Sequence, residues 1–174
     1  MAITSPANIS HCREQFPAVL MTITHTPGVL SKFGRTPWGL QTTFGTPLEN
    51  LESFVSTILP DEGEFEKGSA TIDEIVFEPR TLNALLAGDP ALSQLSRDWS
   101  IHAEGKEHVR ELLQSVLSDW IDFLFVPTPK PFVIYADHDE FTTFYASTRS
   151  NLNRVVQPLL SKGFKQIPDY QREL

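Results

Sequence analysis

The densest run of apolar and aromatic positions in the chain, interrupted by four polar residues, predicts two strands joined by an acidic turn. Residues 132–146 read FVIYADHDEFTTFYA, with apolar and aromatic side chains on both sides of the turn. A two-residue loop of His138 and Asp139 would place Asp137 opposite Glu140 across the ladder. The same register would put one set of side chains on a common face: Phe132, Ile134, Ala136, Phe141, Thr143 and Tyr145. Because the turn lacks glycine and asparagine, a wider loop built on a type I turn is equally consistent with it.

Apolar residues at helical spacing predict three amphipathic helices. The first covers 106–119, a second covers 46–59, and a third covers about 148–161. In the second, Thr46 and Glu49 occupy the positions of a capping box. Two shorter helices are predicted, one at 81–87 and one beginning at Asp89-Pro90.

Short β-branched and apolar runs predict strands between and beside these helices. They cover 18–24, 71–78, 99–103 and 121–126. Two similar segments, TPGVLSKFG and TPWGLQTTFG, predict a pair of turn-and-strand units between Thr26 and Gly45. Since strands and helices do not alternate regularly, the predicted fold class is α+β, with several amphipathic helices packed against a mainly antiparallel sheet.

The composition does not change along the chain in a way that would divide it. We therefore expect a single globular domain over 1–174, with loosely ordered ends at 1–15 and 165–174. Cys12 is the one cysteine, which excludes an intramolecular disulfide. The first residues carry no basic region followed by an apolar run, and no window holds about 18 apolar residues. These features predict a cytoplasmic protein without a membrane-spanning helix.

Acidic residues dominate the charge of this chain. Its 22 acidic and 14 basic residues give a formal net charge of -8. Part of the excess lies in one segment, which contains Asp61, Glu62, Glu64 and Glu66, and the turn at 137–140 is a second focus. Negative charge of this kind attracts cationic partners and repels nucleic-acid phosphates and anionic lipids. We therefore expect a basic protein partner, and neither nucleic acid nor a membrane.

Three carboxylates within four residues repel one another, so the turn at 137–140 gains from any cation brought to it. That cation is a metal ion, a basic side chain of a partner, or an arginine of the following helix, Arg149 or Arg154. Successive strand residues point to opposite sides of a sheet, which disfavours a single metal centre built from the turn alone. The sequence leaves these alternatives open.

The main functional hypothesis is a non-enzymatic interaction domain, of the inhibitor or immunity type, that binds a basic partner through acidic loops. The residues expected to bind the partner are Tyr135, Asp137, His138, Asp139, Glu140, Asp61, Glu62, Glu64 and Glu66. No nucleophile elbow, phosphate-binding glycine loop or metal-ligand spacing is present in the sequence, so it assigns no catalytic residue, metal ligand or cofactor.

Two other functions compete with this hypothesis. A metal-assisted hydrolase would use the acidic turn at 137–140 and His102. An apolar-ligand-binding protein would use a cavity behind aromatic residues such as Trp120 and Phe132.

Overall fold

A computed structural model describes residues 20–173 and contains a single antiparallel sheet. Its seven strands are β1 (Met21–His25), β2 (Leu40–Gly45), β3 (Lys67–Glu74), β4 (Trp99–Glu104), β5 (Asp122–Thr128), β6 (Val133–Ala136) and β7 (Phe141–Ala146). They lie in the order β1-β4-β3-β5-β6-β7-β2, and every neighbouring pair is antiparallel. The predicted α+β class with a mainly antiparallel sheet is confirmed.

Helices cover the two faces of the sheet unequally. The five are α1 (Val29–Arg35), α2 (Leu51–Ile58), α3 (Arg80–Leu85), α4 (Lys106–Ser118) and α5 (Arg149–Ser161). Helix α4 packs on β3 and β4, α5 packs on β2 and β7, and α2 and α3 contact α4. We call this side the main face. Helix α1 packs on the opposite side, which we call the α1 face. None of the helices in residues 20–173 combines the length and apolar character needed to cross a membrane.

The main core forms because every second side chain of each strand points to the main face. Ile72, Ile101 and Phe125 point to the main face from the middle of the sheet and are fully buried there. They meet the apolar stripe of α4, in which Val109 and Leu112 are also fully buried. Apolar burial on this scale is the main force that stabilises a domain of this size. The helix predicted at 106–119 is thus confirmed, with its core face as expected.

The segment TPGVLSKFG departs from its prediction, because it forms the short helix α1 instead of a turn and strand. Gly28 precedes it at φ 92, a left-handed conformation that favours glycine. Leu30 and Phe33 lie three residues apart and so share one side of the helix. There they join a second, smaller apolar cluster on the α1 face, which includes Tyr135 and Tyr145.

Two predicted boundaries are wrong for identifiable reasons. Thr46 makes no capping bond, because its Oγ1 lies 2.7 Å from that of Thr142, and helix α2 begins only at Leu51. The strand predicted at 71–78 ends at Glu74, and the chain then leaves the sheet. Val76 and Phe77 are consequently exposed.

The hairpin has a three-residue loop, so the two-residue register is wrong. Ala136 pairs with Thr142, and the N–H of Asp137 donates to the carbonyl of Phe141. The loop ends at Glu140, which has φ 71, as is usual for three-residue hairpins that close with a left-handed residue. A shift of one residue in the pairing of β6 with β7 changes which β7 side chains share a face of the sheet with a given β6 side chain. Tyr135 and Asp137 therefore share the α1 face with Tyr145, and the main face receives Phe132, Ile134, Ala136, Thr142, Phe144 and Ala146.

Candidate functional site

A cluster of charged and polar side chains lies on the α1 face, where β3, β5 and β6 reach the same end of the sheet. Antiparallel pairing brings these ends together, since Glu74 lies opposite Asp122 and Phe123 lies opposite Ala136. We call this group the polar cluster; it consists of Asp73, Arg97, Asp122, Tyr135, Asp137, His138 and Arg172.

Arg172 reaches the cluster from residues 165–173, a segment expected to be loosely ordered. The first part of this segment follows the edge of β2, where the N–H of Ile167 donates to Thr43 O at 2.8 Å. Its second part crosses to the α1 face, where Tyr170 stacks on Phe141 with ring centroids 4.3 Å apart. The other end of the predicted domain, 1–15, lies outside the described residues.

The guanidinium of Arg172 lies between an aromatic ring and a carboxylate. Its central carbon is 4.4 Å from the centroid of Tyr135, and its Nη2 donates to Oδ2 of Asp137. Arg172 is thus the arginine that pairs with the turn, in place of Arg149 or Arg154. Its Nε is buried and has no hydrogen-bond partner within residues 20–173. Burial lowers the pKa of the guanidinium, although Tyr135 and the carboxylates of Asp122 and Asp73 act in the opposite sense.

Asp137 is a structural residue of the hairpin. Besides its ion pair, its Oδ1 accepts hydrogen bonds from the N–H groups of Asp139 (3.0 Å) and Phe141 (3.1 Å). The residue is only 8% exposed. Its carboxylate therefore closes the loop from inside and is covered by Arg172.

Tyr135 is oriented by Asp73. Its hydroxyl donates to Oδ2 of Asp73 at 2.6 Å, and Arg97 pairs with the other oxygen of the same carboxylate. Burial and then the hydrogen bond to Asp73 raise the pKa of Tyr135. The ring is held in place over a pocket of about 210 Å³ that Leu30, Phe33, Gly34 and Arg97 also line.

His138 turns back towards the sheet and meets Asp122. Its Nδ1 and its backbone nitrogen each lie 2.7 Å from Oδ1 of Asp122. The hydrogen bond to Asp122 raises the pKa of His138. His138 and Asp122 form a group with Glu74, in which one ligand atom from each residue lies within 4.8 Å of the other two. One imidazole and two carboxylates suit a divalent transition metal.

The remaining acids of the hairpin face water. Asp139 and Glu140 are exposed, and among the described residues the one basic group within 4.0 Å of Asp139 is Nε2 of His138. Glu74 is exposed beside them. We call Glu74, Asp139 and Glu140 the acidic tip.

The acidic segment at 61–66 differs from the tip, because it carries its own counter-charges. Glu64 bonds Arg154 at 3.0 Å, Glu66 lies 3.6 Å from Lys106, and Asp61 pairs with Arg110. Glu62 is exposed. The structure thus brings some of the predicted binding residues together around the hairpin and places Asp61, Glu62, Glu64 and Glu66 in a separate surface that is largely neutralised.

Sequence reasoning missed Asp73, Glu74, Asp122 and Arg172. A signal was present for two of them, since Asp73 and Asp122 are charged residues within or beside apolar strand runs, where a carboxylate requires a partner. His102, by contrast, lies elsewhere, on β4 next to β1, with its Nε2 2.8 Å from Oγ1 of Thr24. Its pKa is lowered by burial.

Phe132, one of the aromatic residues considered for an apolar cavity, packs against other rings. Phe132 contacts Phe144 and Phe65, with ring centroids about 6 Å apart, and all three belong to the main core. Phe65 and Phe132 also line a pocket of about 340 Å³ beside α2 and α5. Comparison with family models, with curated proteins and with solved structures finds no match to this chain.

Proposed function

We propose that this protein binds a basic protein partner through the acidic tip of the β6–β7 hairpin. One observation carries the proposal. Within residues 20–173, no lysine or arginine lies within ion-pair distance of Glu74, Asp139 or Glu140, whereas three of the four acids at 61–66 have such a partner. Uncompensated negative charge attracts a basic partner and sets the rate of association.

An apolar anchor lies close to the tip in sequence. Phe77 is 55% exposed and Val76 is 44% exposed, three and two residues after Glu74. Large side chains in the middle of an interface commonly supply much of its binding energy, while charges at the rim determine orientation and rate. Tyr135 was the aromatic residue expected to bind the partner, but its side chain is buried. We assign it to Phe77.

The finer form of the proposal is a cytoplasmic inhibitor or immunity-type protein, whose partner is a basic enzyme or nuclease that the tip neutralises. The neutralised partner would present lysine or arginine side chains around its own active site. Salt would weaken such a complex, because charge at a surface is screened over about 10 Å at about 0.1 M ionic strength.

Titration with a fluorescent octalysine peptide at low and high salt tests the binding surface. We expect salt-sensitive binding that Asp139→Asn/Glu140→Gln weakens several-fold. Glu64→Gln/Glu66→Gln removes the same number of charges from the segment that has internal partners, and we expect it to change binding little. Equal weakening by the two double variants would contradict a localised site.

A divalent metal site is the second candidate, and the group formed by Glu74, Asp122 and His138 favours it. This set differs from the one expected from sequence, because Asp137 is engaged by Arg172 and His102 lies elsewhere. A metal here would activate a bound water for hydrolysis. Calorimetric titration with Zn²⁺ and Mn²⁺ tests it, with His138→Gln as the variant and His102→Gln as its control. Parent binding no tighter than about millimolar, or equal loss in both variants, would exclude the site.

A further inference from the structure

We propose that the polar cluster is an arginine-binding site, which Arg172 of the protein itself occupies in the place of an arginine from the partner. The inference rests on the proposed binding of a basic partner and names the side chain that this partner inserts. It concerns the surface under the hairpin, between Tyr135, Asp137 and Asp73.

The chemistry of the site is selective for a guanidinium group. An aromatic face and a carboxylate together bind a planar cation that stacks and donates hydrogen bonds at the same time. Tyr135 supplies the face at 4.4 Å, and Asp137 supplies the carboxylate. The centroid of the Tyr170 ring lies 6.0 Å from the guanidinium carbon. A lysine ammonium is smaller and more strongly hydrated, so it uses the aromatic face less well.

The fit of Arg172 in this site is incomplete. Its Nε is buried without an acceptor in the described chain, and an unsatisfied buried donor weakens binding of the group that carries it. An arginine entering at a different angle can direct its five donors differently. The site therefore has more capacity for a guanidinium than Arg172 uses.

The segment that carries Arg172 is held mainly by side chains. After Ile167 its N–H groups make two hydrogen bonds to other described residues, one from Arg172 to the side chain of Gln41 at 3.1 Å and a local one from Tyr170 to Ile167 O. Gln171 and Glu173 on either side are exposed. Local opening requires few buried contacts to break, so this part of the chain is suited to displacement.

An incoming side chain has a route that leaves the main core closed. A pocket of about 210 Å³ on the α1 face is lined by Arg172 itself and by Phe33, Arg97 and Tyr135. The acidic tip belongs to the same hairpin. In this arrangement the tip attracts a basic partner, and the pocket selects arginine over lysine.

Two blocked tripeptides, acetyl-Gly-Arg-Gly-amide and acetyl-Gly-Lys-Gly-amide, test the site. In Arg172→Ala the pocket is empty, and we expect the arginine peptide to bind at least about ten-fold more tightly than to the parent. If Arg172 fills the site about nine-tenths of the time in the parent, the apparent affinity for a competing arginine is about ten-fold lower there. The lysine peptide should gain much less. Adding Asp137→Asn to Arg172→Ala should remove the gain.

Nuclear magnetic resonance of the parent protein provides a second readout that does not depend on how well a variant folds. Excess arginine peptide should shift the backbone amide and Nε resonances of Arg172 towards free values, while the lysine peptide leaves them in place. If the arginine peptide does not move them, or if Arg172→Ala, shown to be folded by its thermal melt, binds both peptides equally, then the contact is only structural and the inference is overturned.

These results are separable from those that test the acidic tip. If the arginine site does not exist, octalysine still binds to the acidic tip in a salt-sensitive way. If the acidic tip does not bind basic partners, octalysine binding is lost, but Arg172→Ala still gains affinity for the arginine peptide.

Discussion

The guanidinium carbon of Arg172 lies 4.4 Å from the centroid of the Tyr135 ring, and the same side chain pairs with Asp137 at the end of β6. This contact joins the segment 165–173 to the centre of the sheet. It also explains how the hairpin retains a buried carboxylate next to two exposed acids. The two charges in the pair do not contribute equally to the fold. Asp137 accepts two further hydrogen bonds, whereas the Nε of Arg172 makes none to residues 20–173.

Removal of Asp137 should destabilise the protein more than removal of Arg172. Asp137→Ala leaves the guanidinium uncompensated and frees the N–H groups of Asp139 and Phe141, and we expect a loss of about 3 kcal/mol in the free energy of unfolding. Arg172→Gln leaves the carboxylate with both N–H donors, so we expect about 1 to 2 kcal/mol. Urea denaturation at neutral pH measures both.

Asp137→Asn separates the two roles of this carboxylate. It retains an acceptor oxygen for the loop and removes the charge that pairs with Arg172. A stability between those of the parent and Asp137→Ala is expected. If Arg172→Gln proves more costly than Asp137→Ala, the ion pair outweighs the loop bonds and the order given above is wrong.

Glu140→Gly should stabilise the hairpin. Glu140 has φ 71, a left-handed conformation that costs a side-chain-bearing residue on the order of 1 kcal/mol and costs glycine little. We expect a gain of up to about 1 kcal/mol, reduced by the greater freedom of glycine in the unfolded chain. Glu140→Gln removes the charge without changing the backbone and so separates the two effects. Asp139→Gly relieves no positive φ, so it should lower the free energy of unfolding. A lower stability in Glu140→Gly than in Asp139→Gly would contradict this account.

Much of the fold was predictable because burial imposes a period on the sequence. Helix α4 repeats its apolar residues at helical spacing, and β4 alternates Ile101 and Ala103 with polar neighbours. Helix α1 was not predictable in this way. Its seven residues bury only Leu30 and Phe33, which is too short a pattern to distinguish a helical turn from a strand.

The site was predictable only in part, because it depends on register and on distant pairs. The turn at 137–140 was identified, but a shift of one residue decides whether Asp137 faces the main core or the α1 face. Neither the approach of Arg172 to Tyr135 nor that of Glu74 to His138 leaves a local trace in the sequence. Such pairs are set by sheet order, which a single sequence does not specify.

Phe77→Ala should weaken binding of a partner without weakening the fold. The ring is 55% exposed, so its removal leaves the core unchanged and the free energy of unfolding should move by less than about 0.5 kcal/mol. Titration with an amphipathic peptide of alternating lysine and leucine should show several-fold weaker binding than to the parent, while octalysine binding stays the same. Leu48→Ala, at an exposed leucine of the segment before α2, is the matched control. Equal effects of the two variants would argue against an anchor at Phe77.

His138 and His102 should contribute to stability with opposite dependence on pH. The hydrogen bond to Asp122 raises the pKa of His138 in the folded protein, so its contribution is complete below the unfolded value of about 6.5 and is lost as pH rises through the raised pKa. Burial lowers the pKa of His102, so its contribution is present above about 6.5 and is lost as pH falls through the lowered pKa.

Urea denaturation between about pH 5 and pH 8 measures these contributions as the difference between the parent and each variant. For His138→Gln, the stability advantage of the parent should shrink as pH rises above about 6.5. For His102→Gln, the same advantage should shrink as pH falls below about 6.5, which makes each variant the control for the other. If the two differences change with pH in the same direction, then the pairing of His138 with Asp122 does not hold its charge in the folded protein. The divalent site at Glu74, Asp122 and His138 depends on that same imidazole, and a metal bound there would reverse the slope for His138, because it requires the neutral ring.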